Sequence, residues 1–180
     1  MRSGRIFDPR TGRRGVRLVT TTHDGRGTVM ADEKSDGIAV LQGEAGRDLR
    51  WVVSVDEGRG SLLVMLTLFR GGHRAPGIGF DGTMSLGGAV LESSRGRADG
   101  YPWHVMARTD ASATRVVATT DRGTEVELAL SAFMPEYGST FAAAVMPDGE
   151  CPCALRVERD GAILDVGPQP SWPCPPAIGG

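Results

Sequence analysis

Three stretches hold residues whose types and spacing could do chemistry. Gly77-x-Gly79-x-x-Gly82 matches the glycine pattern of dinucleotide-binding turns. There the glycines join a strand to a helix whose N-terminus faces a pyrophosphate. Here Thr83-Met84-Ser85-Leu86-Gly87-Gly88 follows, a poor helix, with no strand–helix–strand pattern around it. The match is read as coincidence. The Gly-rich loop, residues 71–82, still carries His73, Arg74 and Asp81. A small enzyme or ligand-binding domain using this loop is therefore an alternative function.

The second stretch is Cys151-Pro152-Cys153, with Cys174 the third cysteine. Thiolates and an imidazole are zinc ligands, which makes a cysteine-based metal-binding module a further alternative. The C-x-C spacing is tighter than the usual C-x2-C knuckle. His23, His73 and His104 lie in unrelated places. The bland reading is one buried and two partly exposed thiols. A disulfide from Cys174 to Cys151 or Cys153 would clip the tail to the sheet, but reducing conditions oppose it. No metal or cofactor residue is assigned.

The third stretch is aromatic. Tyr101-Pro102-Trp103 and Ser171-Trp172-Pro173 set tryptophans beside prolines. Trp103 is read as core. Trp172 sits in a proline-rich tail with no strand to hold it. It either packs back on its own domain or anchors a protein partner or a second copy of the chain. It is the one candidate contact residue.

Other chemistry finds no constellation. Gly60-Ser61 and Gly138-Ser139 lack the G-x-S-x-G elbow of a serine nucleophile. Glu125 and Glu127 share one strand face and read as solvated rather than as an acid–base pair. Asp32, Glu33 and Asp36 belong to a polar arm. No catalytic residue is assigned.

Composition narrows the class. The chain has 180 residues, enough for one domain with tails and a real core. Its net charge is −2, too small to imply nucleic acid or a membrane surface. Residues 1–29 hold seven arginines against Asp8 and Asp24, and the remainder is acidic. Arg13, Arg14 and Arg17 could touch phosphates, but an acidic body without a recognition helix makes nucleic acid an unlikely partner. The charge step also makes Met30 an alternative start. No apolar stretch follows the basic N-terminus, and Leu62–Phe69 is too short to span a bilayer. A cytoplasmic location without a membrane partner is the expectation.

The elements that must position these residues are strands. The 26 glycines and 11 prolines favour many short ones. The firmest is a hairpin over Ala113–Ser131, with Asp121-Arg122-Gly123 as its turn and Gly123 at positive φ. Leu49–Val55 alternates with Trp51 inward. Ser61–Phe69, apolar on both faces, reads as a central strand. Ile78–Phe80, Thr83–Glu92, Trp103–Arg108, Thr140–Met146 and Cys153–Val157 supply more. Ser93–Gly100 reads as a polar loop. Arg159-Asp160-Gly161 turns a second hairpin into Ala162–Val166. This closing strand–Asp-Gly–strand unit resembles those of small bacterial β-proteins, a likeness that implies no activity and no site residues.

The expected fold is all-β, an antiparallel two-sheet sandwich of immunoglobulin-like kind, with an antiparallel β-barrel as the alternative. Residues 1–46 form a basic, poorly ordered arm in which Val16–Val19 or Ile38–Leu41 could add an edge strand. Residues 47–167 form the β-sandwich domain and 168–180 a proline-rich tail. The leading function is a non-enzymatic module that binds a protein partner or self-associates.

Overall fold

The computed structural model describes residues 37–58, 60–84, 86, 91–164 and 172. It also describes the backbone of two short paired strands, β1 (Ile6–Phe7) and β2 (Arg14–Gly15). Val16–Val19, His23, Met30 and Cys174 lie outside the described residues.

Turn residues set the lengths of the strands. β3 (Ile38–Ala45) pairs with β4 (Leu49–Gly58), which turns through Gly60 at φ +88° into β5 (Ser61–Arg70). β6 (His73–Arg74) and β7 (Ile78–Thr83) both pair with β5, at opposite ends of it. The chain then lays down β8 (Leu91–Gly96), β9 (His104–Thr109) and β10 (Arg115–Thr120). There follow β11 (Glu125–Glu127), β12 (Ala129–Leu130), β13 (Thr140–Val145), β14 (Pro152–Arg159) and β15 (Ala162–Ile163).

Both anticipated hairpins form. β10 and β11 flank a turn with Gly123 at φ +78°. Thr120 Oγ1 accepts from the amides of Arg122 and Thr124 there, at 3.3 and 3.1 Å. β14 and β15 flank Asp160 at φ +49° and Gly161 at φ +82°. Two central residues at positive φ match the twist of the flanking strands, which is why Asp-Gly suits this turn.

The described body is all-β and antiparallel, as the patterning implies, and no sheet closes into a barrel. Its strands fall into three larger sheets rather than two. A front sheet runs β3-β4-β5, with β6 and β7 beyond β5. A middle sheet runs β12-β13-β9-β8, and a back sheet runs β11-β10-β14-β15. Ile38–Ala45 supplies the front sheet's edge strand, so the β-body reaches into the segment assigned to the arm.

Alternation along the middle sheet explains the layering. Met106, Phe141 and Ala143 pack with Trp51, Val53, Val64, Leu66 and Leu68 of the front sheet. Val105, Ala107, Ala142 and Ala144 pack with Val116, Ala118, Leu155 and Val157 of the back sheet. The middle sheet is thus covered on both faces, and every residue of β9 is buried. The run from Glu125 to Leu130 links two layers. β11 pairs in the back sheet and β12 in the middle one. Between them Leu128 donates its N–H to Val116 O at 2.9 Å and fills the core. Sandwich corners are commonly made by strands that switch sheets in this way.

Ser93–Gly96, read as part of a polar loop over Ser93–Gly100, belongs to strand β8 (Leu91–Gly96). It pairs with β9 along its whole length. Of the alternating stretch Thr83–Glu92, Thr83 ends β7 and Leu91 and Glu92 begin β8, while Ser85 and residues 87–90 lie outside the described residues.

The glycine triad is also explained by packing. Gly79 and Gly82 lie within β7, and Gly77 precedes it. A Cβ on Gly77 would stand 2.7 Å from the carbonyl oxygen of Leu66, and one on Gly82 would stand 2.6 Å from Glu92 Oε2. One on Gly79 would meet the Met65 sulfur. These glycines let β7 lie close against β5 and β8. Gly77→Ala is expected to cost about 1–3 kcal/mol through overpacking against fixed backbone. Urea unfolding with an unchanged m-value would measure it.

Candidate functional site

At the edge of the middle sheet a cationic side chain sits between two indoles. Arg95 lies on β8 opposite Val105, so its side chain faces the back sheet. Its guanidinium carbon is 5.4 Å from the centroid of Trp103 and 5.2 Å from that of Trp172. Its Nη1 donates to the Pro152 carbonyl and lies 3.1 Å from Cys151 Sγ. Each ring contact is worth about 0.5–2 kcal/mol, more as water is excluded.

The other side of the site is set by the β10–β11 turn. Asp121 donates its N–H to Cys151 O at 2.9 Å, and its Oδ1 accepts from Cys151 N at 3.0 Å. Thr120 Oγ1 donates to Glu150 Oε2 at 2.6 Å. The hairpin turn therefore fixes the peptide that Arg95 grips. Burial pushes the Cys151 thiol up from its ordinary value, against the opposing pull of Arg95. Burial likewise lowers Arg95.

Trp172 is half-buried and packs back against the middle–back core of its own chain. Trp103 is half-buried beside the same core rather than fully inside it. Cys151 is a buried thiol, whereas Cys153 is disulfide-bonded. The expectation of three thiols is corrected at Cys153. It rested on compartment, not on geometry. A sulfur held in a disulfide is not a thiolate ligand for zinc. Among the described residues no group of three or more His, Cys, Asp or Glu is placed to hold a metal. Nor is any helix long and apolar enough to cross a membrane.

The remaining candidates lie apart. His73 and Arg74 are exposed on β6, and Asp81 is exposed on β7. Glu125 and Glu127 are not an acid–base pair. Glu125 meets Arg156 at 2.8 Å, and Glu127 meets Arg115 at 2.8 Å. Glu158 joins both arginines, at 3.0 and 2.8 Å, and they hold its carboxyl below the ordinary value.

Two polar side chains of β9 are buried. Arg108 is fully buried on β9, facing the front sheet. Nε donates to Ser139 Oγ at 2.7 Å, Nη1 to Thr83 O at 2.6 Å, and Nη2 to Met84 O and Tyr137 O at 2.8 and 2.9 Å. Glu92 Oε2 lies 3.4 Å from Nη1. All five donors are engaged within the chain, so this arginine is a tie-rod and not a ligand-binding group. His104 shares that face. Its Nδ1 meets Pro102 O at 3.1 Å, and its Nε2 has no hydrogen-bond partner among the described residues.

The alternation of Trp103, Val105 and Ala107 with His104, Met106 and Arg108 marks a strand. One strand's polar face normally meets water, and only the front sheet's position reveals that this one does not.

The chain matches no family model, and it is similar to no curated protein and to no solved structure.

Arg108→Met would take this donor from one buried and two partly buried carbonyl oxygens and from one carboxylate. A loss of about 3–5 kcal/mol is expected in chemical denaturation, since breaking a buried pair leaves its partner uncompensated. Arg108→Lys should recover only part of it, because one ammonium cannot reproduce the planar fork.

Burial depresses the His104 pKa below its ordinary 6.5, so the folded state keeps the ring neutral. The unfolded chain then binds the extra proton first. Stability from this group is present above pH 6.5 and is lost as pH falls from there toward the depressed folded value. His104→Phe is expected to flatten that part of the stability–pH curve. Equal slopes for variant and parent would show that His104 is not the group responsible.

Proposed function

We propose that the chain is a non-enzymatic self-association module, in which the segment carrying Trp172 docks on the Arg95–Trp103 surface of a second copy. The observation that carries this reading is the Arg95 guanidinium held between Trp103 and Trp172. In the monomer that surface is filled from within the same chain. A segment that already fits its own body fits an identical one, because exchange between copies makes the same contacts in trans. In the sequence Trp172 stands well beyond β15, within a run rich in proline. The half-buried indole keeps part of its surface for further contact.

The domain plan expected from sequence enters the same reading. The β-body, edge strand β3 included, is the platform, and the proline-rich tail supplies Trp172. The middle and back sheets, joined through residues 125–130, support the immunoglobulin-like description of that half of the body.

Sedimentation velocity over a concentration series tests the proposal. Trp172→Ala and deletion of residues 168–180 should each weaken dimer formation at least tenfold, the equivalent of about 1.4 kcal/mol, while the melt stays cooperative. Association of both variants like the parent would sink it.

A further inference from the structure

The front sheet has a second face, turned away from the middle sheet. Alternation assigns its residues. Leu49, Trp51, Val53 and Val55 of β4 pack inward, so Arg50, Val52, Ser54 and Asp56 point outward. Leu63, Met65, Thr67 and Phe69 of β5 share that outer face. Its apolar residues, Val52, Leu63, Met65 and Phe69, belong to neither described core. Leu63 and Met65 are half-buried.

Charge is sorted along the strands of this face. At one end the register sets Arg50, Phe69 and Arg74 side by side. The Arg50 guanidinium carbon lies over the Phe69 ring, 4.5 Å from its centroid. At the other end Asp56, Leu63 and Asp81 stand side by side, with both carboxylate residues exposed. Glu44, opposite Arg50 on β3, is the exception at one corner. The outer face of the back sheet is arranged differently. There Arg115 and Arg156 pair with Glu125, Glu127 and Glu158 inside the face, and opposite charges cancel locally.

We propose that the outer face of the front sheet pairs with the same face of a second copy, about a two-fold axis that runs across the strands. A half-turn about that axis reverses strand direction and keeps strand order. Arg50 of one copy then meets Asp56 of the other, on facing β4 strands. β6 and β7 flank β5 on the same side, at opposite ends of it. Arg74 therefore meets Asp81 in the same way, and the symmetry repeats each pair. Leu63 comes over the Phe69–Arg50 stack, and Met65, an adaptable side chain, comes over Thr67. A two-fold along the strands would instead set like charges against each other, which complementary potentials disfavour.

Area sets the strength. At about 4.8 Å between strands and about 3.3 Å per residue, four strands of up to ten residues present about 600 Å². Two such faces bury about 1,200 Å², the low end for a specific interface. The pairing is weak and salt-sensitive. It goes beyond the Trp172 reading and does not rest on it.

Sedimentation velocity tests it on the full chain, as the parent and as Trp172→Ala. Trp172→Ala should still associate at about 50 mM salt and lose at least tenfold in affinity at about 500 mM. At the higher salt the parent reports the Trp172 contact alone, so the two readings fail separately. In both chains, Asp56→Arg with Asp81→Arg gives a cationic face, and Arg50→Asp with Arg74→Asp an anionic one. Each pair of reversals should weaken low-salt association at least tenfold, with the melt still cooperative. Mixed in equal amounts, the two variants should pair at least tenfold more tightly than either does alone. Unchanged low-salt association on reversing Asp56 and Asp81 would overturn the proposal, even should the arginine variant fail to fold. So would a mixture of folded variants that stays unpaired. A Trp172→Ala chain that is monomeric at every concentration would overturn it too. Met65 resisting peroxide in that monomer would give the face to residues 1–36 of the same chain.

Discussion

The three-layer stack depends on a guanidinium buried where a sandwich would ordinarily place an aliphatic side chain. Arg108 sits in the seam between front and middle sheets with no exposed surface. A charge there is tolerated only because every donor is met and a carboxylate lies nearby. The partners come from three separate pieces of chain. Thr83 and Met84 end β7 and leave it, Glu92 lies on β8, and Tyr137 and Ser139 belong to the turn before β13. The last of these is itself braced. Ser139 Oγ donates to Tyr137 O at 2.8 Å, and Tyr137 stands edge-on to Phe141 at 5.9 Å. One side chain therefore specifies how the front sheet's last strand, the middle sheet's edge and a tight turn meet. Apolar packing alone would define that seam less sharply, since hydrophobic contact is non-directional.

The local grammar of the chain was readable, and the layering was not. Turns wrote themselves in Gly60, Gly123 and Asp160-Gly161, because only particular residues take the left-handed region cheaply. Single-faced alternation gave Leu49–Val55 and Glu125–Glu127, and the doubly apolar Ser61–Phe69 marked a central strand; Leu130, read into the same strand as Glu125, pairs instead in the middle sheet. A strand buried on both faces should read as continuously apolar. β9 does not, because His104 and Arg108 occupy its front-facing positions and find their partners in distant segments. The same cause hid β8. Its Glu92 and Arg95 are polar because each serves a buried cluster on one side of the middle sheet, and composition alone cannot tell that from a loop. For the candidate site, Trp172 was legible as an aromatic without a strand. Its seat was not, since Arg95 had been placed in that loop.

Glycines at 77, 79 and 82 make a related point about motifs. The pattern that elsewhere admits a pyrophosphate here admits a neighbouring strand. Both uses need an absent Cβ, so spacing alone cannot separate them. What separates them is the atom that the missing Cβ would strike. At Gly77 it is the Leu66 carbonyl oxygen, a fixed part of β5.

β8 joins the two sides of the molecule. Glu92 faces the front seam and Arg95 faces the back one, three residues apart on one edge strand. The tail contact made at Arg95 is weak by itself, at about 0.5–2 kcal/mol for each ring. Its occupancy is then governed by tethering, because a linked segment meets its seat at an effective concentration set by the linker.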